Sequence, residues 1–133
     1  MKVVITEWAL QSYLNLKYRN VFTSDEYWDV IRPDVELLRD QFPHNPKFKN
    51  PGFWGPATDK SGSAITDGYK MKWHNIGPGR VQLRVTVAIL QGRAFLCEAY
   101  VKDSDAKDKR ECAKLKHRIN RIAMGNYKYR GTI

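Results

Sequence analysis

Hydrophobic and polar positions along the chain change their spacing several times, and each change marks a predicted element. Residues 3–5 are all β-branched and predict a short strand. Thr6 is a suitable N-cap for a first helix, because apolar residues recur with the helical period over residues 8–16. A second helix is predicted over residues 23–41, where Pro33 kinks or restarts it. The short connection between the two helices predicts an antiparallel helical hairpin.

Proline and glycine interrupt both periods over residues 42–68, so this segment is predicted to be a loop longer than a plain connection. Phe53 and Trp54 lie in its middle. We expect these two rings either to attach the loop to the core or, if exposed, to stack on nucleic-acid bases.

Strict alternation follows and predicts three antiparallel strands, with turns at residues 77–79 and 91–92. One face of this sheet is predicted to be the apolar core face, with the following residues: Tyr69, Met71, Trp73, Val81, Leu83, Val85, Val87, Ile89, Phe95, Cys97, Ala99 and Val101. The opposite face carries Lys70, Lys72, His74, Gln82, Arg84, Thr86, Glu98, Tyr100 and Lys102. Such a pattern is typical of a sheet that is buried on one side only.

A final helix is predicted between the capping residues 103–105 and Gly125, which ends it. Its apolar stripe is Cys112, Leu115, Ile119 and Ile122, and basic residues occupy most of the remaining surface. Cys97 and Cys112 are both predicted to be reduced core residues. The predicted fold is therefore a single α+β domain over residues 1–133, in which an N-terminal strand and a helical hairpin pack on an antiparallel sheet, followed by a C-terminal basic helix.

Charge is distributed unevenly along the 133 residues, whose formal net charge is +9. Residues 1–42 carry five basic and seven acidic side chains, whereas residues 43–133 carry eighteen basic and seven acidic ones. This asymmetry predicts a helical face for packing or a partner, and another face that attracts a polyanion, RNA above all.

Several classes of protein do not fit this sequence. No apolar stretch is long enough to span a membrane, and the N-terminus does not resemble a signal peptide, so we expect a cytoplasmic protein. The two cysteines are too few for a disulfide scaffold. The three histidines lie far apart without a cysteine at ligand spacing, so no metal site is predicted.

The predicted polar sheet face is the strongest candidate for chemistry. Lys70, Lys72 and His74 alternate along one strand and project to one side, and Arg84, Tyr100 and Lys102 join them from the neighbouring strands, with Arg80 at the turn. The alternative is a solvated strand face without function. Cations held together in this way would suit RNA cleavage, because RNA supplies its own 2′-hydroxyl nucleophile and the protein has only to align it, stabilise charge and move protons. That chemistry requires neither a metal nor a cofactor.

Two segments and the order of elements resemble the RelE/ParE superfamily of bacterial toxin–antitoxin toxins, including its HigB-like branch and a related phage branch. Residues 67–73, followed by Gly77 and Arg80, are similar to the lysine-bearing strand of RelE-type toxins. Residues 94–103 and the helix that follows resemble the closing strand and helix of the HigB-like branch. The resemblance implies a RelE-like fold, a ribosome-dependent mRNA endonuclease, and a cognate antitoxin that binds it in a heterotetramer or a larger complex.

The resemblance also implies roles for individual residues. Lys70 and Lys72 would grip mRNA and polarise the attack, Arg80 or Arg84 would stabilise the phosphate, and Lys102 would be a further catalytic cation. The tyrosine expected on the closing helix falls near Cys112, so the acid–base group stays open among Tyr100, Tyr127, Tyr129 and His74. The further expected RNA contacts are His74, Arg84, Lys114, Arg118, Arg121, Lys128 and Arg130.

Two other functions fit the same pattern. A ParE-like toxin would have the same fold and inhibit DNA gyrase without cleaving RNA, although the Lys70/Lys72 pair favours the nuclease. A non-enzymatic RNA-binding or phage accessory protein would use the same basic face for binding alone. Fold cannot separate these possibilities, because function depends on the site.

Overall fold

A computed structural model describes all 133 residues. Its helices are α1 (Glu7–Tyr18), α2 (Ser24–Glu26), α3 (Arg32–Asp40) and α4 (Asp105–Ala123). Its strands are β1 (Lys2–Thr6), β2 (Trp54–Thr58), β3 (Ala64–Ile76), β4 (Val81–Leu90), β5 (Arg93–Val101) and β6 (Tyr129–Thr132). The strands form one six-stranded sheet in the order β2-β3-β4-β5-β1-β6, in which only β1 and β5 run parallel. The α+β class is therefore confirmed, with a mostly antiparallel sheet.

The helical hairpin begins and ends where the local signals predict. The Thr6 hydroxyl accepts a hydrogen bond from the amide of Ala9 at the start of α1. Thr23 and Glu26 form a reciprocal capping box at the start of α2. A π-helical turn, Tyr27–Ile31, joins α2 to α3 immediately before Pro33. Proline has no amide hydrogen to donate, so this is the point at which the regular helical pattern changes.

Helices cover both faces of the sheet, and the prediction that one face is open to solvent is wrong. The helical hairpin packs on the face that carries Met71 and Val87, which are fully buried. Helix α4 packs on the opposite face, where Cys112 and Leu115 meet Phe95. An apolar stripe on α4 needs an apolar surface to bury, and this half of the second face supplies one. Both cysteines are buried there without a disulfide, as predicted.

A β-bulge in β5 explains how apolar residues reach both faces. Thr86 pairs with Glu98 but Val87 pairs with Leu96, so β5 contains one extra residue at this point. Phe95 and Cys97 consequently contact α4, whereas Ala99 and Val101 pack against the helical hairpin. The prediction that these four residues share one face is wrong, because the bulge reverses the alternation.

The two edge strands, β2 and β6, were not predicted. Strand β2 lies inside the segment predicted to be a loop, and its Pro56 is tolerated because an edge strand need not donate every hydrogen bond. Phe53 and Trp54, each 7% exposed, attach this segment to the core as expected. Strand β6 pairs with β1 and uses the residues of the C-terminal tail. Each strand is short and lacks a clear alternation of its own, so it forms only against a neighbour.

Candidate nucleic-acid interface

A row of polar residues crosses three neighbouring strands on the face of the sheet against which α4 packs. Lys72 on β3 pairs with Arg84 on β4, and Arg84 pairs with Tyr100 on β5. Helix α4 starts four residues after the end of β5, so its first turn stands beside this row. The register of three strands therefore brings together residues that are far apart in the sequence.

Lys70 and Tyr100 form a buried cluster with Asp108 of α4. The Lys70 ammonium lies 2.7 Å from one Asp108 oxygen, and the Tyr100 hydroxyl donates to the other. Lys70 and Tyr100 are only 9% and 4% exposed, so the prediction that they lie on an open surface is wrong. Burial acts to raise the pKa of Asp108, but the hydrogen bonds from Lys70 and Tyr100 outweigh it and the pKa is lowered. Burial and the same hydrogen bond raise the pKa of the Tyr100 phenol.

Lys72 and His74 remain accessible and rest against the segment that precedes β2. The Lys72 ammonium donates to the carbonyl of Pro51 over 2.9 Å, and His74 Nε2 lies 2.8 Å from the carbonyl of Gly52. Because a carbonyl only accepts, Nε2 must be the donor, which leaves Nδ1 of a neutral His74 free to accept a proton. Partial burial lowers the pKa of Lys72, and the positive charges of Lys70 and Arg84 lower it further.

Arg84 and Lys102 complete the cationic end of the sheet. Arg84 is only 5% exposed and donates to the side chain of Gln82 over 2.7 Å, and burial lowers its pKa. Lys102 is half-buried and lies 3.4 Å from a carboxylate oxygen of Asp105. Its positive charge is one of the smaller causes that lower the pKa of both Lys72 and Asp108, after burial and the nearer groups, so we group it with them. We refer to Lys72, His74, Arg84 and Lys102 as the cationic cluster.

Arg80 does not join the cationic cluster. It is exposed in the β3–β4 turn with a φ of 50°. It lies in the turn four residues before Arg84, or about 13 Å away at the usual rise of an extended chain. Arg84, the alternative weighed from the sequence, is the arginine that lies beside Lys72.

The other predicted RNA contacts differ in whether their charge is already paired with a carboxylate of this protein. Arg118 pairs with Glu98 over 2.9 Å, Lys114 pairs with Glu111 over 3.0 Å, and Arg130 pairs with Glu7. These three charges are therefore partly neutralised inside the fold. Arg121 stacks on the Trp8 ring and Lys128 is exposed; neither forms an ion pair.

Asp108 is the residue of this site that the sequence reasoning missed. No role is expected for it from the sequence, where basic residues occupy most of the α4 surface outside the apolar stripe. Its spacing carries a usable signal, because Asp108 lies four residues before Cys112 and seven before Leu115, which places it on the buried face of α4. A carboxylate on an apolar stripe opposite a lysine-bearing strand is grounds to expect an ion pair.

Comparison with known proteins assigns no family to this chain. No family model matches it, and no curated protein matches it. No helix is both long enough and apolar enough to cross a lipid bilayer. No group of three or more histidine, cysteine, aspartate or glutamate side chains is placed to hold a metal ion.

Proposed function

We propose that this protein is the RelE-like toxin of a bacterial toxin–antitoxin system and cleaves mRNA on the ribosome in the cytoplasm. One observation carries the proposal: Lys72, Arg84 and Lys102 converge at the end of the sheet beside α4 while Lys72 and His74 remain accessible. Cations in such proximity repel one another, and a phosphate would relieve that repulsion. The order of elements and the residues around Lys70 and Lys72 give further support.

The chemistry follows from the substrate. The 2′-oxygen of RNA attacks the adjacent phosphorus, the bond to the 5′-oxygen breaks, and a 2′,3′-cyclic phosphate forms. Nδ1 of His74 takes the proton from the 2′-hydroxyl, since Nε2 already donates to Gly52. Lys72 donates a proton to the departing 5′-oxygen, which its lowered pKa favours. Arg84 and Lys102 offset the charge that develops on the phosphate.

Lys70 and Tyr100 take a different role from the one expected from the sequence. Their polar atoms are hydrogen-bonded to Asp108, and a phenol with a raised pKa stays protonated at neutral pH, so Tyr100 is not available as a base. Both are positioning residues in this proposal, because they hold Asp108 and the first turn of α4 against the row that contains Lys72.

The proposed protein partner is a cognate antitoxin, in a heterotetramer or a larger complex. The helical hairpin offers a surface for it. An apolar groove of about 160 Å³ runs between α1 and α3, and Trp28 nearby is 60% exposed. Exposed tryptophan next to an apolar groove is typical of protein interfaces.

A non-enzymatic RNA-binding protein is the alternative, and one observation favours it. The charge of Lys70 is already neutralised by Asp108, so fewer cations are free for catalysis than the sequence suggested. Binding without cleavage would need only the exposed charges.

Primer extension on ribosomes that are translating a defined mRNA tests the proposal. The wild-type protein should produce cuts that depend on translation, and Lys72→Ala should reduce single-turnover cleavage by roughly a hundred- to a thousandfold. Lys17→Ala, at an exposed position on α1, is the matched control and should cleave like the wild type. RNA binding without any cut would favour the non-enzymatic alternative, and gyrase inhibition without cuts would favour a ParE-like toxin.

A further inference from the structure

A second cavity lies at the far end of α4, away from the cationic cluster. It has a volume of about 300 Å³ and opens beside the junction of β1 and α1. Its walls are Glu7, Trp8, Arg121, Asn126, Tyr127 and Lys128. Arg121 lies thirteen residues along α4 from Asp108, which corresponds to about 20 Å of helix. The two sites are therefore separate.

The wall of this cavity combines a half-buried aromatic ring with positive charge that has no ion-pair partner. The guanidinium groups of Arg118 and Arg121 lie 5.0 Å and 5.2 Å from the centre of the Trp8 ring. Arg118 is neutralised by Glu98, but Arg121 is exposed and has no carboxylate partner. Lys128 is exposed on the same wall. The hydrogen bond from Arg130 lowers the pKa of Glu7, and the charge of Lys128 adds to this effect. Two cations without an ion-pair partner thus line the same cavity as Trp8.

We propose that this cavity binds one nucleotide of a single-stranded RNA. The base stacks on the indole of Trp8 in the place that the Arg121 guanidinium now takes, and the displaced Arg121 contacts the phosphate together with Lys128. Base stacking and cationic contact to the backbone are the two elements of single-strand recognition. The Glu7 carboxylate, which already accepts from Gln11 and Arg130, accepts a hydrogen bond from a ribose hydroxyl.

The nucleotide assignment follows from the mixture of groups. An apolar peptide side chain would leave Arg121 and Lys128 without an anion. A free inorganic anion would make no use of Trp8. A nucleotide uses the ring, the cations and the carboxylate together, and the cavity is within the size range of small-ligand sites. This inference requires RNA binding but not cleavage, so it stands apart from the proposed nuclease activity.

Tryptophan fluorescence reports on this cavity directly. Trp54 and Trp73 are buried, so Trp8 and Trp28 are the two accessible reporters. The Trp28→Phe variant removes one of them. In that background, a single-stranded oligoribonucleotide of about eight residues should quench the remaining accessible signal. Adding Trp8→Phe should abolish the quenching, and retained quenching would overturn the proposal.

Affinity measurements test the charged wall and keep the proposal falsifiable if Trp8→Phe is poorly folded. Arg121→Ala with Lys128→Ala, at exposed positions, should weaken binding of a labelled oligomer roughly tenfold or more, whereas Lys17→Ala should not. Unchanged affinity would overturn the proposal. Adenosine monophosphate is a second probe, and quenching by it equal to that by the oligomer would overturn the assignment to an RNA strand in favour of a free nucleotide. Lys72→Ala should keep full quenching, which separates this site from the proposed nuclease.

Discussion

Lys70 on β3 and Asp108 on α4 form an ion pair across the interface between the sheet and its closing helix, with 2.7 Å between Nζ and Oδ2. Their side chains are only 11% and 15% exposed. Apart from this pair, much of the contact between α4 and the sheet is apolar. Buried charges gain little net stability from pairing, but an unpaired one is costly. The pair therefore favours one register of α4 on the sheet, which in turn places the first turn of α4 beside Lys72.

Lys70→Ala is expected to destabilise the fold strongly. It would leave the Asp108 carboxylate buried without its cation, which typically costs about 3 kcal/mol or more. Lys72→Ala is the matched control on the same strand and should cost less than about 1 kcal/mol, because Lys72 is half-buried and its partner is an accessible carbonyl. Urea denaturation of the three proteins measures both values. Equal stability of the two variants would show that the Lys70–Asp108 pair does not hold α4.

Asp108 should contribute to acid unfolding. Its pKa in the folded protein is lowered, so its ionised form stabilises the fold above the ordinary aspartate pKa of about 3.9, and this stabilisation is lost as the pH falls through the folded value. Asp108→Asn cannot titrate. The wild type should therefore lose its stability advantage over Asp108→Asn as the pH falls below about 4. Denaturation at several pH values tests this, with Asp29→Asn, at an exposed position, as the control; a pH-independent difference would contradict it.

The pH dependence of cleavage should show the loss of the Lys72 proton at alkaline pH. Burial and neighbouring cations lower its pKa, so the proton needed by the leaving oxygen is lost at lower pH than for an ordinary lysine, whose pKa is about 10.4. As the pH rises, single-turnover rates should therefore begin to fall at a pH lower than about 10.4. Lys72→Arg, which keeps its proton, should shift or remove the alkaline fall even if it is slower overall. An alkaline limb that is the same in both proteins would assign the titration to another group.

Gly77→Ala should disturb the close backbone contact between the β3–β4 turn and the helical hairpin. A Cβ at residue 77 would lie 1.9 Å from the carbonyl oxygen of Val21, and the residue has a φ of 72°. Its amide donates to Glu26 over 2.9 Å. We expect a loss of about 3 kcal/mol from the clash and the left-handed backbone together.

Gly92→Ala separates these two causes. Gly92 has the same φ of 72° but nothing within 4 Å of the added carbon. Its substitution should cost only about 1 to 2 kcal/mol, the usual cost of the left-handed conformation. Thermal melts of both variants give the comparison, and equal losses would mean that the Val21 contact relaxes freely.

The sequence by itself determined the features that depend on neighbouring residues. Thr6, Thr23 and Ser104 begin helices because their side chains satisfy amides within three residues of themselves. Gly125 ends α4 with a φ of 72°, as its position after the apolar stripe predicted. The alternation in β3 and β4 correctly placed Met71 and Val87 together on one apolar face of the sheet. Each of these outcomes depends on local hydrogen bonding or on a periodicity that can be read without a partner.

Only the tertiary structure decided which surface α4 covers and which cations remain free. The periodicity showed that Lys70 and Lys72 share a face. It did not show that Asp108 would pair with Lys70 and leave Lys72 accessible, because Lys70 and Asp108 lie 38 positions apart in the sequence. The bulge in β5 and the edge strands β2 and β6 likewise depend on pairing between distant segments. Such contacts form when packed elements satisfy one another's buried polar groups and cover one another's apolar surfaces. The sequence of a single strand or helix does not specify which element it will pack against.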